Sequence, residues 1–154
     1  MSGPRFERWD PEQPPASDLL AEMRFELNDV YETFNRLDNP PLDPAELRQP
    51  SGAYLVGFDA DVVVAGGGFR RLTDDVAEIK RMFVRPASRS RGVARALLAA
   101  LEQEALRSGY SATRLDTGPR QAHGLALYRS AGYVEVPAYN DNPFACFWGE
   151  KVLR

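Results

Sequence analysis

Three arginines crowd one short stretch, Arg89-Ser90-Arg91-Gly92-Val93-Ala94-Arg95, at the point where a helical pattern begins. Beyond it Val93, Ala96, Leu97, Ala100, Leu101 and Ala105 recur at helical spacing, and Glu102, Gln103 and Glu104 are left for the wet side. A helix N-terminus carries unsatisfied N–H groups and the positive end of the helix dipole, so it ordinarily collects Asp and Glu. Arginines at that end point to an anion supplied from outside the chain. Gly92 and Ala94 serve the same purpose, because small side chains let a phosphate approach the backbone amides. The competing reading is a solvated basic loop ahead of an ordinary amphipathic helix. It requires the arginines, the small residues and the preceding strand to coincide by chance.

The elements that must position this cluster follow from periodicity. Residues 76–84 form a strand that stops at Arg85-Pro86. Alternation puts Glu78, Lys80 and Met82 on one face and Ile79, Arg81 and Phe83 on the other, unless a bulge intervenes. Neither set is purely apolar, so part of this strand lines a cleft. Upstream, residues 1–15 are rich in proline and charge. Phe6 and Trp9 form or lead into an edge strand, and the rest is expected to be a flexible arm. Ser17-Asp18 caps a helix whose Leu19, Leu20, Met23, Leu27, Val30, Tyr31 and Phe34 share one stripe, and Asn39-Pro40-Pro41 ends it. Asp43, Pro44 and Glu46 outline a short helix with a start like a capping box.

Residues 52–58 and 62–69 read as a hairpin turning at Asp59-Ala60-Asp61. Gly66-Gly67-Gly68 inside its second strand marks a bulge or a close backbone approach; no helix follows, so it is not a phosphate loop. After the arginine-led helix come a glycine stop at Gly109, a strand over 112–117 and a short helix over 122–130. A strand over 133–136, a polar loop over 137–143 and a last strand over 144–152 complete the order. Cys146 alternates with Ala145 and Phe147 in that last strand and is expected to be a small core residue. The pattern is an α/β mixed sheet, with an arm and first edge strand over 1–16 and a single domain over 17–154.

Composition excludes several classes. The chain is 44% hydrophobic and 27% charged, an ordinary globular balance. Its net charge of −3 argues against nucleic-acid binding, so the arginine cluster is a local anion site on an acidic protein. No apolar run is long enough to span a bilayer and no signal-peptide core is present, which makes the cytoplasm the default location and a membrane partner unexpected. One cysteine cannot form an internal disulfide, and one histidine, His123, cannot build a His-rich metal site, so no metal is expected.

Residues 89–94 match the pattern Arg/Gln-x-x-Gly-x-Gly/Ala, after a strand ending in hydrophobic-Val-x-Pro. A second segment, Leu127-Tyr128-Arg129-Ser130-Ala131-Gly132-Tyr133, matches Leu-Tyr-x-x-x-Gly-Phe/Tyr. Together, and between these elements, the chain closely resembles the GNAT superfamily of N-acetyltransferases over roughly residues 17–153. The resemblance implies the GNAT fold, with helices on both faces of a mixed central sheet and two central parallel strands that splay apart. It also implies acetyl-CoA as co-substrate and a homodimer, while the small size and a pocket wall of mixed aromatic and polar residues favour a small-molecule primary amine as acceptor: an amino acid derivative, a metabolite or a xenobiotic.

Acetylating an amine needs a held thioester, a neutral amine, a stabilised oxyanion and a proton for the departing thiolate. The resemblance assigns the pyrophosphate to Arg89, Ser90, Arg91, Gly92, Val93, Ala94 and Arg95. It lays the pantetheine arm along Met82, Phe83 and Val84, with the Met82 N–H as oxyanion donor. Tyr128 takes the role of general acid. A phenol near pKa 10 facing a thiol near 8.5 makes the transfer uphill by about 2 kcal/mol in water. Glu78 is the first candidate for general base, with Asp116 second, at the end of the next strand where the parallel pair should open. A Glu–Lys or Glu–Arg pairing is the plain alternative for Glu78. Tyr31, Phe34, Asn35, Tyr139, Asn140 and Asp141 are candidates for the acceptor wall and mouth, Asp141 for an ammonium and Asn140 for a polar tail; His123 reads as polar surface. Direct attack in a ternary complex is expected, because no activated cysteine is evident. Two rivals stand beside this reading: acetylation of protein or peptide N-termini, and a non-catalytic acyl-CoA sensor.

Overall fold

The structure, a computed structural model, describes residues 3–30, 42–118 and 124–154; Tyr31, Phe34, Asn35 and His123 lie outside the described residues. The strands are β1 (Arg5–Arg8), β2 (Ala53–Asp59), β3 (Val62–Arg71), β4 (Val76–Val84), β5 (Ala112–Thr117), β6 (Val134–Glu135) and β7 (Phe147–Val152). The helices are α1 (Ala16–Val30), α2 (Val93–Arg107) and α3 (Gly124–Ser130), with a 3-10 turn over Pro44–Leu47. The strands form one mixed sheet in the order β1-β2-β3-β4-β5-β7-β6. Its one parallel pair among the described residues is β4 with β5.

Two apolar layers sandwich the sheet. Val93, Leu97, Leu98, Leu101 and Ala105 of α2 are buried against Leu55, Phe69, Ala77, Ile79 and Leu115, and Leu125, Leu127 and Tyr128 of α3 pack on the same side. On the opposite face Leu19, Met23 and Leu27 of α1 pack with Leu47, Tyr54, Val56 and Phe83. The helical stripes read from the sequence are therefore the faces that hold the layers together.

Strand β4 changes face in mid-course. Gly66 pairs with Phe83 and Gly68 with Lys80, so three steps on β4 answer two on β3, and Arg81 and Met82 fall outside the regular register. The extra residue is absorbed at Arg81, whose φ of 60° lies in the left-handed region. Gly67 permits it: a Cβ there would sit 3.2 Å from Met82 Cα and 3.3 Å from Leu101 Cδ1. The glycine run does mark a close backbone approach. The plain alternation fails beyond it, however. Met82 packs on the α2 side with Ile79, while Phe83 joins the α1 side.

A second irregularity opens the sheet. β4 and β5 pair only from Val76↔Ala112 to Glu78↔Arg114. Above that point β5 continues on β7 as far as Thr117↔Phe147, and β4 continues on β3 as far as Val84↔Ala65. The two central parallel strands splay apart, leaving a wedge between Ile79–Val84 and Leu115–Thr117.

Several local expectations change. The first segment is no loose arm: the Trp9 amide bonds Tyr54 O at 2.9 Å and its indole N–H bonds Pro14 O at 2.9 Å. Helix α1 starts at Ala16, so Ser17 and Asp18 lie inside its first turn rather than capping it. Asp43 does cap the 3-10 turn, accepting from the Ala45 amide at 3.0 Å, but Glu46 reaches Arg70 at 3.1 Å instead of closing a capping box. The last strand begins at Phe147, because Asn140 and Asn142 use their side-chain oxygens to hold the amides of Asn142 and Phe144 at 3.2 and 3.0 Å, in successive turns. Cys146 consequently lies outside the strand and is exposed, not a core residue.

Candidate active site

The polar cluster on the α1 side of the wedge is built by strand register. Glu78 lies opposite Arg70 on β3 and beside Arg114 on β5. Its carboxylate is 1% exposed, with Arg70 Nε at 3.0 Å, Lys80 Nζ at 3.2 Å and Asn140 Nδ2 at 3.3 Å. Asp116 sits across the wedge. Asn140 Nδ2 donates to it at 2.6 Å and Asn142 Nδ2 at 3.4 Å, while Lys80 Nζ stands 3.8 Å away. One amide nitrogen of Asn140 thus bridges both carboxylates. Trp148 Nε1 holds the other end of that amide at 2.9 Å, on a strand whose Trp148 faces Asp116.

Tyr139 joins the cluster from the same loop. Its hydroxyl is buried without a hydrogen-bond partner of ordinary geometry among the described residues, and Arg114 stacks over its ring at 5.5 Å. Burial first, then the charges of Glu78 and Asp116, push its pKa upward. Asp141 is exposed and stands apart from these contacts.

The other side of the wedge holds Tyr128. Its hydroxyl points at Met82 Sδ at 3.9 Å, and its ring meets Tyr133 edge-on at 6.0 Å. Burial, followed by the Asp116 charge, pushes its pKa up to about 12, so the group is a neutral phenol at any physiological pH. Tyr133 fixes this corner through Thr113 at 2.7 Å and Glu102 at 2.9 Å.

At the open end of the wedge, α2 begins with Ser90 at φ 64° and Gly92 at φ 79°, a turn that leaves its first N–H groups without a side-chain cap. Gly92 is exposed and nothing lies within 4 Å of where its Cβ would be, so the approach to those amides is clear. Val93 is buried and anchors the turn, and Ala94 beside it is small. Arg91 and Arg95 are exposed at the mouth, and Arg95 donates to Ser130 Oγ on α3.

Arg89 behaves differently from the anion-seeking group its position implies. It pairs with Glu26 of α1 at 2.5 Å, donates through Nε to Val84 O at 2.9 Å and stacks over Phe83 at 5.6 Å. The uncapped amides at the start of α2 are therefore flanked by Arg91 and Arg95, with Arg89 paired to Glu26 beside them.

Glu78, Asp116, Tyr139 and Asn140 are thus brought together, and Met82 meets Tyr128. The Glu–Lys or Glu–Arg pairing offered as the plain alternative for Glu78 is present, through Lys80 and Arg70; sequence reasoning did not find Trp148 or say which arginine would pair. The signal for Lys80 was present, two residues from Glu78 on one face. Arg70 and Trp148 required the strand register.

This architecture has relatives. The model of the acetyltransferase (GNAT) family matches residues 15–133. An IAA acetyltransferase of Azospirillum brasilense is 35% identical over 150 residues, 95% of each chain. Among solved structures, a GNAT family acetyltransferase from Elizabethkingia anophelis with acetyl-CoA bound superposes with a TM-score of 0.69 at 18% identity, over 99% of this chain and 100% of that one. An IAA acetyltransferase from Bacillus cereus does so with a TM-score of 0.69 at 18% identity, over 98% and 100%. With the wedge, the arginine-flanked helix start and Tyr128 in place, the chain belongs to the GNAT family of acyl-CoA-dependent N-acetyltransferases.

Proposed function

We propose that this enzyme moves an acetyl group from acetyl-CoA to the primary amine of a small molecule, by direct attack within a ternary complex. The observation that carries the reading is the wedge. β4 and β5 part above Glu78, with a neutral phenol on one side and a carboxylate cluster on the other. Acetyl-CoA fits this frame: the uncapped amides of residues 93–95, with Arg91 and Arg95, suit a diphosphate, and the unpaired flank of Met82, Phe83 and Val84 suits an extended amide-bearing arm. Bound there, it supplies an activated acyl group and a leaving thiolate.

The residues then divide the work. Met82 lies outside the β3 register, and its N–H is the candidate oxyanion donor. Tyr128 donates its proton to the leaving sulfur. On the acceptor side, Glu78 is engaged by two cations near 3 Å, Arg70 and Lys80, and by Asn140, so its oxygens are already taken up by the protein. Asp116 has one cation, at 3.8 Å, and two amide donors, so it is the better placed of the two to receive the ammonium proton. Glu78 is a positioning residue in this scheme, acting through Lys80 and Asn140.

The test is thiol release from acetyl-CoA with a panel of amines. Asp116→Asn is expected to lower kcat/KM near neutral pH by about 100-fold and to recover as pH rises toward the amine pKa, where free amine needs no base. Loss without recovery would return the base role to another group.

A further inference from the structure

A cavity of about 460 Å³ lies on the α1 side of the bulge, walled by Leu20, Leu27, Leu42 and Leu47, with Arg24 and Arg81 among its lining. Among the described residues its lining contains no acidic residue. Arg81 is the residue that absorbs the bulge, half-buried, and it makes no hydrogen bond or ion pair with any described residue. That sets it apart from three other arginines on this side of the sheet. Arg70 has Glu78 and Glu46, Arg85 has Glu22, and Arg89 has Glu26. Burial and the like charges of Arg24 and Arg70 lower the Arg81 pKa, which is the mark of a cation short of compensation.

The Asp116 charge offsets this in part, but among the described residues no carboxylate bonds to Arg81; a guanidinium in an apolar cavity without a bonded carboxylate is costly, and a ligand carboxylate would complete the pair. Arginine's planar fork suits a carboxylate in particular. Arg81 also directly precedes Met82, the residue that contacts Tyr128, so a group held by Arg81 lies next to the reacting carbonyl.

We infer that the acceptor is an amine that also carries a carboxylate and an apolar body, with the carboxylate on Arg81 and Arg24, the apolar body among the leucines and the amine facing Asp116. This rests on the acetyltransferase reading above and narrows it to amino-acid-like acceptors. It disfavours peptide N-termini, whose α-carboxyl is an amide.

The experiment compares matched pairs: L-phenylalanine with phenethylamine, and L-leucine with isoamylamine. Thiol release gives kcat/KM for each, and calorimetry of the same compounds with the CoA-bound enzyme gives affinity without turnover. The acid of each pair is expected to exceed its decarboxylated partner at least about tenfold in both readouts. In Arg81→Met, and in Arg24→Met on the exposed helix surface, that ratio falls toward one, chiefly through KM. If the decarboxylated amines match or exceed the acids, the carboxylate inference is overturned while the acetyltransferase reading stands. If acetyl-CoA binds but no amine of any class releases thiol, the underlying reading fails first and this inference with it.

Discussion

Replacing Tyr128 by Phe separates chemistry from stability in this site. The hydroxyl has one recorded partner, the Met82 sulfur at 3.9 Å, a long contact to a weak acceptor. Its loss costs well under about 1 kcal/mol of stability, and the ring contact with Tyr133 survives. The urea midpoint of Tyr128→Phe is therefore expected to match wild type. The catalytic cost is larger. With the phenol at about 12, delivering its proton to a thiolate whose conjugate acid is near 8.5 is uphill by about 5 kcal/mol on aqueous values. Desolvation of the thiolate in the same wedge raises its basicity and narrows that gap. A general acid of this kind contributes about 100-fold or more, so kcat should fall by at least that factor. The sign of the pH dependence follows from the raised pKa. The active form is protonated and stays so as pH rises, so Tyr128 causes no falling limb below about pH 11. Single-turnover thiol release across pH 6 to 10.5 is the assay. A Tyr128→Phe rate within about threefold of wild type would refute the acid role, whereas a wild-type limb near pH 9 that vanishes in the variant would keep the role and refute the raised pKa.

Other perturbations follow from the same geometry. Glu78→Gln leaves Arg70 with Glu46 and Lys80 with Asp116 around a buried neutral amide, and should cost about 1–3 kcal/mol of stability as read by urea denaturation. Asn140→Ala removes the bridge between Glu78 and Asp116, and is expected to lower kcat/KM for the amine while calorimetric binding of acetyl-CoA is retained. Gly67→Ala presses a methyl group to 3.2 Å from Met82 Cα, so thermal denaturation should register about 1–3 kcal/mol of strain, with the Tyr128–Met82 contact disturbed. Arg89→Ala frees Glu26 near the helix start; it should weaken acetyl-CoA binding by calorimetry less than Arg91→Ala does, because Arg89 is already paired.

What the sequence disclosed and what it hid divide along physical lines. The elements that frame the wedge could be anticipated because hydrophobic stripes, strand runs and the stop at Arg85-Pro86 are local signals; the splay itself was implied by the GNAT resemblance. The convergence of Glu78, Asp116 and Asn140 was also accessible, since each stands near a strand end or loop that opens on one side of the sheet. The face of Met82 was not, because one inserted residue at Arg81 inverts every later side chain and strand alternation carries no mark of it. The glycine run hinted at the bulge from the neighbouring strand, without saying which strand carried the extra residue. The pairing of Arg89 was hidden for a different reason: its partner Glu26 lies 63 residues away. The misplaced start of β7 came from reading Cys146 as alternating with Ala145 and Phe147 in a strand over 144–152, whereas side-chain turns at Asn140 and Asn142 hold the chain out of the sheet until Phe147.

Amide hydrogen exchange, residue by residue, with and without acetyl-CoA tests the placement of the thioester most directly. Protection is predicted to rise along the unpaired flank of β4, at Met82, Phe83 and Val84, and in the first turn of α2 from Val93 to Arg95, while β1 and β6 stay unchanged. Protection confined to other elements, or absent while calorimetry reports binding, would place acetyl-CoA outside the wedge and contradict the account.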